Sequence, residues 1–156
     1  MVYEYKGGVS MFKKILVPVD GSQDSYCALK EAELLAENFD SKLIILTVLT
    51  DANVIEHYPG NFLSTDFKKA QALRGEQILD KALNTIETKG GVETCVRVGR
   101  ASEEIIKCSE EKDVDLIVIG SRGLGGFSRT LLGSVSDRVL NAAKVPVLVN
   151  KVNCRI

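Results

Sequence analysis

Asp115-Leu116-Ile117-Val118-Ile119-Gly120-Ser121-Arg122-Gly123, followed after nine residues by Gly133-Ser134-Val135-Ser136, is the stretch whose reading decides the fold. Its apolar half is continuous rather than alternating, which fits a strand covered on both faces. The strand ends in one glycine, turns on a second, and meets a third beside two hydroxyls at a predicted helix start. Backbone N–H groups without side chains in front of them are presented there to an anion, and phosphate is the anion that such a helix start accepts. Taken singly, Gly120 and Gly123 read as turn residues and Gly133 as a cap. With Ser134 and Ser136 at this spacing the set reads as a nucleotide-binding loop. It is not a Walker loop, which needs G-x-x-x-x-G-K-[ST]. Nor is it a Rossmann fingerprint, because Gly123-Leu124-Gly125-Gly126-Phe127-Ser128 lacks the third glycine in place.

Working outward, strand and helix signals alternate. Ile15 to Val19 is a short apolar run stopped by Asp20-Gly21-Ser22, and Ala28, Ala32, Leu35, Ala36 and Phe39 then recur at helical spacing. Leu43 to Leu49 predicts a second strand, followed by a polar stretch from Thr50 to Ser64 containing Pro59-Gly60. From Asp66, a helix is predicted with Ala72, Leu79, Ala82, Leu83 and Ile86 on one face, ended by Gly90-Gly91. Gly75 costs that helix about 1 kcal/mol relative to alanine and is explained if it permits close packing. Val92, Thr94, Val96 and Val98 alternate as a third strand. Ser102, Glu103 and Glu104 open a helix that turns Ile105, Ile106 and Cys108 inward. Leu116 to Ile119 is the fourth strand. Ser134 starts a helix burying Val135, Val139, Leu140 and Ala143, and Val145 to Val149 is the fifth strand. Strands covered on both faces and separated by helices imply an α/β, doubly wound parallel sheet with right-handed crossovers.

Composition bounds the function. The 156 residues are 45% hydrophobic, enough for one well-buried core and short for two. Twenty basic and 21 acidic residues give a net charge of -1, which offers no reason to expect nucleic acid or an acidic membrane as partner. No apolar run approaches the roughly 18 residues of a membrane span, and 1–10 has no secretory apolar segment, so a cytoplasmic protein is expected. Cys27, Cys95, Cys108 and Cys154 form no C-x-x-C pair and are expected to be reduced packing thiols, with Cys154 the one most open to solvent. His57, the single histidine, and Lys68-Lys69 read as polar surface, since Glu56 alone beside His57 is too small a ligand set.

The order G-x2-G-x9-G-S resembles the nucleotide-binding signature of the universal stress protein family, in its ATP-binding branch, and the similarity runs from about Phe12 to Val149. The usual family start matches Met11-Phe12-Lys13-Lys14-Ile15, so residues 1–10 are read as an N-terminal extension, or the product of an upstream start codon, before a single domain over 11–156. The resemblance implies a five-stranded parallel sheet of order 3-2-1-4-5 with helices on both faces. In that order strands one and four are neighbours and their outgoing loops diverge, leaving a crevice at the carboxyl edge. Topology and glycine motif thus choose the same place.

The resemblance further implies ATP as ligand, with Mg²⁺ or Mn²⁺ as the possible accompanying cation. It implies that Pro18, Val19 and Asp20 wall the nucleotide, that Asp20 lies near the ribose or the cation, and that backbone around Val48 reads the adenine. Ile119, Gly120, Arg122, Gly123, Gly133, Ser134, Val135 and Ser136 complete the expected site. Two residues keep a second reading: Asp20 as a helix cap or turn residue, and Arg122 as a solvated loop arginine. The expected role is a nucleotide-dependent switch in stress response. One alternative is a slow ATPase or nucleotide-transferring enzyme, for which Asp20, Arg122 and Arg129 are candidates without a recognisable catalytic arrangement, so at most weak hydrolysis is expected. Another is a ligand-free scaffolding dimer. In either form, Val145, Pro146, Val147, Leu148 and Val149, an apolar edge strand without internal charge, are expected to pair two copies.

Overall fold

The computed structural model describes residues 11–49, 65–88, 91–123 and 132–151. The sequence-read elements over Thr50 to Ser64, His57, Arg129, Cys154 and residues 1–10 lie outside them. In chain order the elements are β1 (Lys14–Pro18), α1 (Gln23–Phe39), β2 (Lys42–Leu49), α2 (Thr65–Thr85), β3 (Val92–Val98), α3 (Ala101–Glu111), β4 (Leu116–Gly120), α4 (Ser134–Ala142) and β5 (Val147–Asn150). The sheet is parallel throughout, in the order β3-β2-β1-β4-β5.

Period-two alternation divides each central strand between two apolar layers. Ile15, Val17, Val19, Leu43, Ile45, Leu116 and Val118 face α1 and α2. Leu16, Ile44, Leu46, Ile117 and Ile119 face α3 and α4. Strands buried on both sides explain the continuous apolar runs in the sequence. Each helix supplies a matching stripe: Ala28, Leu29, Ala32 and Ala36 from α1, Leu79 and Ala82 from α2, Ile105 and Cys108 from α3, and Val139 from α4.

Helix ends follow local chemistry. Ser22 caps α1, its hydroxyl accepting from the Ser25 N–H at 3.2 Å, with Asp24 in the first turn. At the other end Asp40 adopts a left-handed conformation and donates its N–H to the carbonyl of Ala36. Glu33, buried in α1, accepts from the backbone N–H groups of Glu87, and of Thr88 at 2.7 Å, and so ties α1 to the chain leaving α2.

Four local expectations are corrected. The inward face of α2 carries Gly75, Ile78, Leu79, Ala82 and Ile86, whereas Ala72 and Leu83 are exposed. A Cβ at Gly75 would stand 3.1 Å from the side chain of Leu49, so that glycine does permit close packing and its approach sets the rotation of the helix. Leu140 is 45% exposed because only Ser136 and Val139 of α4 are buried. The fifth strand begins at Val147, since Pro146 has no N–H for a ladder and serves it only through its carbonyl, which accepts from Ile117. Cys95 and Cys108 are free thiols, but Cys27 is disulfide-bonded, a pairing fixed by tertiary placement that sequence spacing does not encode.

Candidate functional site

The site is built where β1 and β4, neighbours in the sheet, send their outgoing loops apart at the carboxyl edge. Pro18 ends β1. The Val19 N–H donates to the Leu46 carbonyl at 2.8 Å, and the Val19 carbonyl accepts from the buried Thr47 hydroxyl at 2.9 Å, so the loop starts from a fixed point beside β2. Asp20 then holds the turn: its Oδ1 accepts from the Ser22 N–H at 2.9 Å and the Ser22 hydroxyl at 2.5 Å. Between them Gly21 has φ of +90°, a conformation that side chains disfavour. The helix cap is therefore Ser22, and Asp20 orients it rather than capping α1 itself. Its negative charge is also felt by Tyr26, whose hydroxyl is pushed above its usual range first by burial and then by Asp20.

The β4 loop is held against the first turn of α1. Gly120 is buried, and a Cβ there would lie 2.8 Å from the carbonyl carbon and oxygen of Asp24. Asp24 Oδ2 accepts from the Ser121 hydroxyl at 3.2 Å and from Arg122 Nε at 3.1 Å. Arg122 is thus an ion-pair partner of α1, half-buried, and not a loosely solvated loop arginine. The Ser121 carbonyl in turn accepts from the Gly133 N–H at 2.8 Å and the Ser136 hydroxyl at 2.9 Å, bringing the third glycine back to the strand that carries the first. Gly123 closes the loop over β1: a Cβ on it would stand 2.5 Å from Asp20 Oδ2.

Arg122, Gly133 and Ser136 are therefore joined through Asp24 and Ser121 in one bonded assembly, with Gly120 packed against Asp24 and Gly123 close to Asp20. Gly133 is the N-cap of α4 with no side-chain cap bond, and Ser134 beside it is exposed. Helix-start N–H groups have no partner within the helix, so the start of α4 retains its capacity for an anion. Ser136, by contrast, is buried and its hydroxyl serves the Ser121 and Gly133 carbonyls, which makes it a brace of the loop. Ile119 is buried in the layer facing α3 and α4, and Val48 and Val135 pack against that layer.

Two residues of the assembly were not singled out from sequence. Asp24 reads there only as an acidic residue in a helix start, and its second role, holding Ser121 and Arg122, needs the β1–β4 adjacency. Asn150, whose carbonyl accepts from the Ser121 N–H at 2.9 Å, carries no sequence signal because any residue supplies that carbonyl. Among the described residues no group of three or more His, Cys, Asp or Glu side chains could hold a metal ion.

A family model described as the universal stress protein family matches residues 11–151. The chain belongs to the universal stress protein family. Among its curated relatives is universal stress protein YxiE of Bacillus subtilis, 37% identical over 147 residues that cover 89% of this chain and 99% of that protein. The fold is that of solved universal stress proteins: UspA from Lactobacillus plantarum superposes with a TM-score of 0.76 over 88% of this chain and 96% of that one, at 24% identity. A universal stress protein solved in complex with cAMP, 27% identical, superposes with a TM-score of 0.61 over 89% of this chain and 96% of that one.

Proposed function

We propose that this universal stress protein binds ATP in the crevice between the β1 and β4 loops and acts as a nucleotide-dependent switch. The observation that carries the reading is the gathering of Gly120, Gly123 and Gly133 around Asp20, Asp24 and the Ser121 carbonyl, beside a helix start without a side-chain cap. A relative solved with an adenine nucleotide, cAMP, supports the ligand class. In this reading backbone N–H groups around Gly123 and from Gly133 to Val135 take the phosphates. Pro18, Val19 and Asp20 form one wall, Val48 and Ile119 line the adenine end, and Arg122, through the guanidinium nitrogens beyond its Asp24 bond, adds positive charge. Asp20 is the carboxylate of this assembly that would face a Mg²⁺ or Mn²⁺ ion accompanying the phosphates.

At most weak hydrolysis is expected to accompany binding. Phosphoryl transfer needs a positioned nucleophile and charge stabilisation in addition to a cation, and in this assembly Asp20 is engaged by Ser22 and Arg122 by Asp24. The switch is the ordering of the loop and the start of α4 around the triphosphate, in a cytoplasmic homodimer paired through the β5 edge at Val147, Leu148 and Val149, with Val145 and Pro146 leading in. Leu148, 36% exposed, is the outward apolar residue of that edge.

The ligand that survives purification tests the reading. Mass analysis of denatured protein is expected to release an adenine nucleotide, or apo protein is expected to take up ATP on titration. A protein that releases none and takes up none is instead a scaffold.

A further inference from the structure

On the far side of the sheet from α1, β3 and α3 bring two of the free cysteines together. Cys95 lies on β3 and is half-buried; Cys108 lies on α3 and is fully buried. Both belong to the apolar layer under α3 and α4, and the ion pairs of Glu93 with Lys112 and of Arg97 with Glu104 and Glu111 bracket Cys95 on β3 and Cys108 on α3, setting the two side by side. Two cations flank the pair. Arg97, two residues along β3 from Cys95, is held between Glu104 at 3.5 Å and Glu111 at 2.5 Å. Lys112, just beyond α3, pairs with Glu93, two residues before Cys95 on β3.

We propose that Cys95 and Cys108 form a reversible redox couple, a dithiol that a hydroperoxide converts to an intramolecular disulfide joining β3 to α3. The two thiols divide the work by environment. Burial pushes the Cys108 thiol up to about 11, so it stays protonated and out of reach of an oxidant in solvent. Cys95, half-buried on β3, is the accessible one of the two.

The steps balance. Cys95 loses its proton to solvent, and its thiolate sulfur attacks one oxygen of the hydroperoxide. The O–O bond breaks, an S–O bond forms, and the other oxygen leaves as water or an alcohol after taking up a proton. The resulting sulfenic acid is then attacked by Cys108 sulfur, which forms the S–S bond, breaks the S–O bond and releases a second water carrying the Cys108 proton. Two thiols lose two electrons and the peroxide gains them. A soft metal ion is a poorer occupant of the pair: two cations stand beside it, and among the described residues no third ligand of the His, Cys, Asp or Glu kind completes a site.

Hydrogen peroxide is the probe, and peptide mapping without reduction is the readout. Trypsin cuts after Arg97, Lys107 and Lys112, so the oxidised full-length protein is expected to give residues 90–97 and 108–112 as one disulfide-linked species, separated by dithiothreitol. In Cys108→Ala, dimedone is expected to trap a sulfenic acid at Cys95, and in Cys95→Ala none at residue 108. Recovery of both peptides of the treated wild type as free, alkylatable thiols overturns the proposal. So does accumulation of Cys95 sulfinic acid in the wild type to the level seen in Cys108→Ala. The wild-type map decides the matter even where a variant folds poorly.

Discussion

Replacing Gly120 by alanine tests whether the β4 loop and the first turn of α1 are one mechanical unit. The added Cβ would sit 2.8 Å from two backbone atoms of Asp24 and 3.1 Å from the Ser25 nitrogen. Comfortable separation is about 3.5 Å or more, so strand and helix must part by roughly 0.7 Å. Backbone cannot rotate away as a flexible side chain can, and overpacking of this kind costs about 1–3 kcal/mol. At about 2–4 °C per kcal/mol for a chain of this size, the melting midpoint should fall by roughly 2–12 °C. The same displacement carries Asp24 away from Ser121 and Arg122, so nucleotide affinity should fall with stability. Gly133 provides the contrast. Its added Cβ meets only ordinary contacts at 3.4 and 3.5 Å, and its φ of -67° suits any residue, so Gly133→Ala should melt within about 1 kcal/mol of wild type. Circular dichroism melts of the two variants read this directly. A Gly120→Ala protein with wild-type melting would show that the loop and helix are not packed as described.

Other outcomes follow from the same geometry. Glu33→Ala leaves the Glu87 and Thr88 N–H groups without their carboxylate and should cost about 2–3 kcal/mol in urea titration; a change below 0.5 kcal/mol, on the order of an ordinary surface substitution, would remove Glu33 from the supports of α2. Burial opposes the charge of Glu33, but Lys30 and those two N–H groups together hold its carboxyl below the usual 4.5. Its charge therefore stabilises the fold fully above that value, and the benefit is lost as pH falls through the depressed folded value, so the wild-type advantage over Glu33→Gln should shrink in acid; a pH-independent difference contradicts the assignment. With Mg²⁺ and saturating ATP, hydrolysis should fall far below the roughly 1 to 10³ per second of ordinary enzymes, and turnover of several per second that is lost in Asp20→Asn would make the protein an enzyme. Light scattering should give a dimer for wild type and a monomer for Leu148→Lys; a wild-type monomer at tens of micromolar rules out the β5 interface. Leu148 serves better than Val147 here, because Val147 and Val149 pack against the apolar layer.

The three central strands were legible because each is buried on both faces and is a continuous apolar run, and β3 because its edge position leaves an alternating pattern. The loop that follows β4 was legible in its glycines, which lie close together in the sequence and which the structure sets against Asp24, Asp20 and the Ser121 carbonyl. What could not be read there depends on contacts between distant segments. The rotation of α2 is set by Gly75 against Leu49, so Ala72 and Leu83, apolar and at nearly helical spacing, turned out exposed. Ser136 looked like a ligand hydroxyl alongside Ser134, yet two helical positions turn it inward onto the Ser121 carbonyl. Asp24 needed β1 and β4 to be neighbours before its bond to Arg122 could form. Cys95 and Cys108 are thirteen positions apart on a strand and a helix, and only their packing makes them a pair.

The central claim is that the glycine assembly at the β1–β4 crevice holds a nucleotide. Isothermal titration of ATP with Mg²⁺ into nucleotide-free wild type and into Gly133→Val, with matched melting curves, tests it most directly. The account predicts saturable binding of one ATP per chain in the wild type, lost in a variant that still melts as wild type, because the added side chain stands where the phosphates approach backbone N–H groups. Equal ATP affinity in the two folded proteins, or no binding by either, would contradict it.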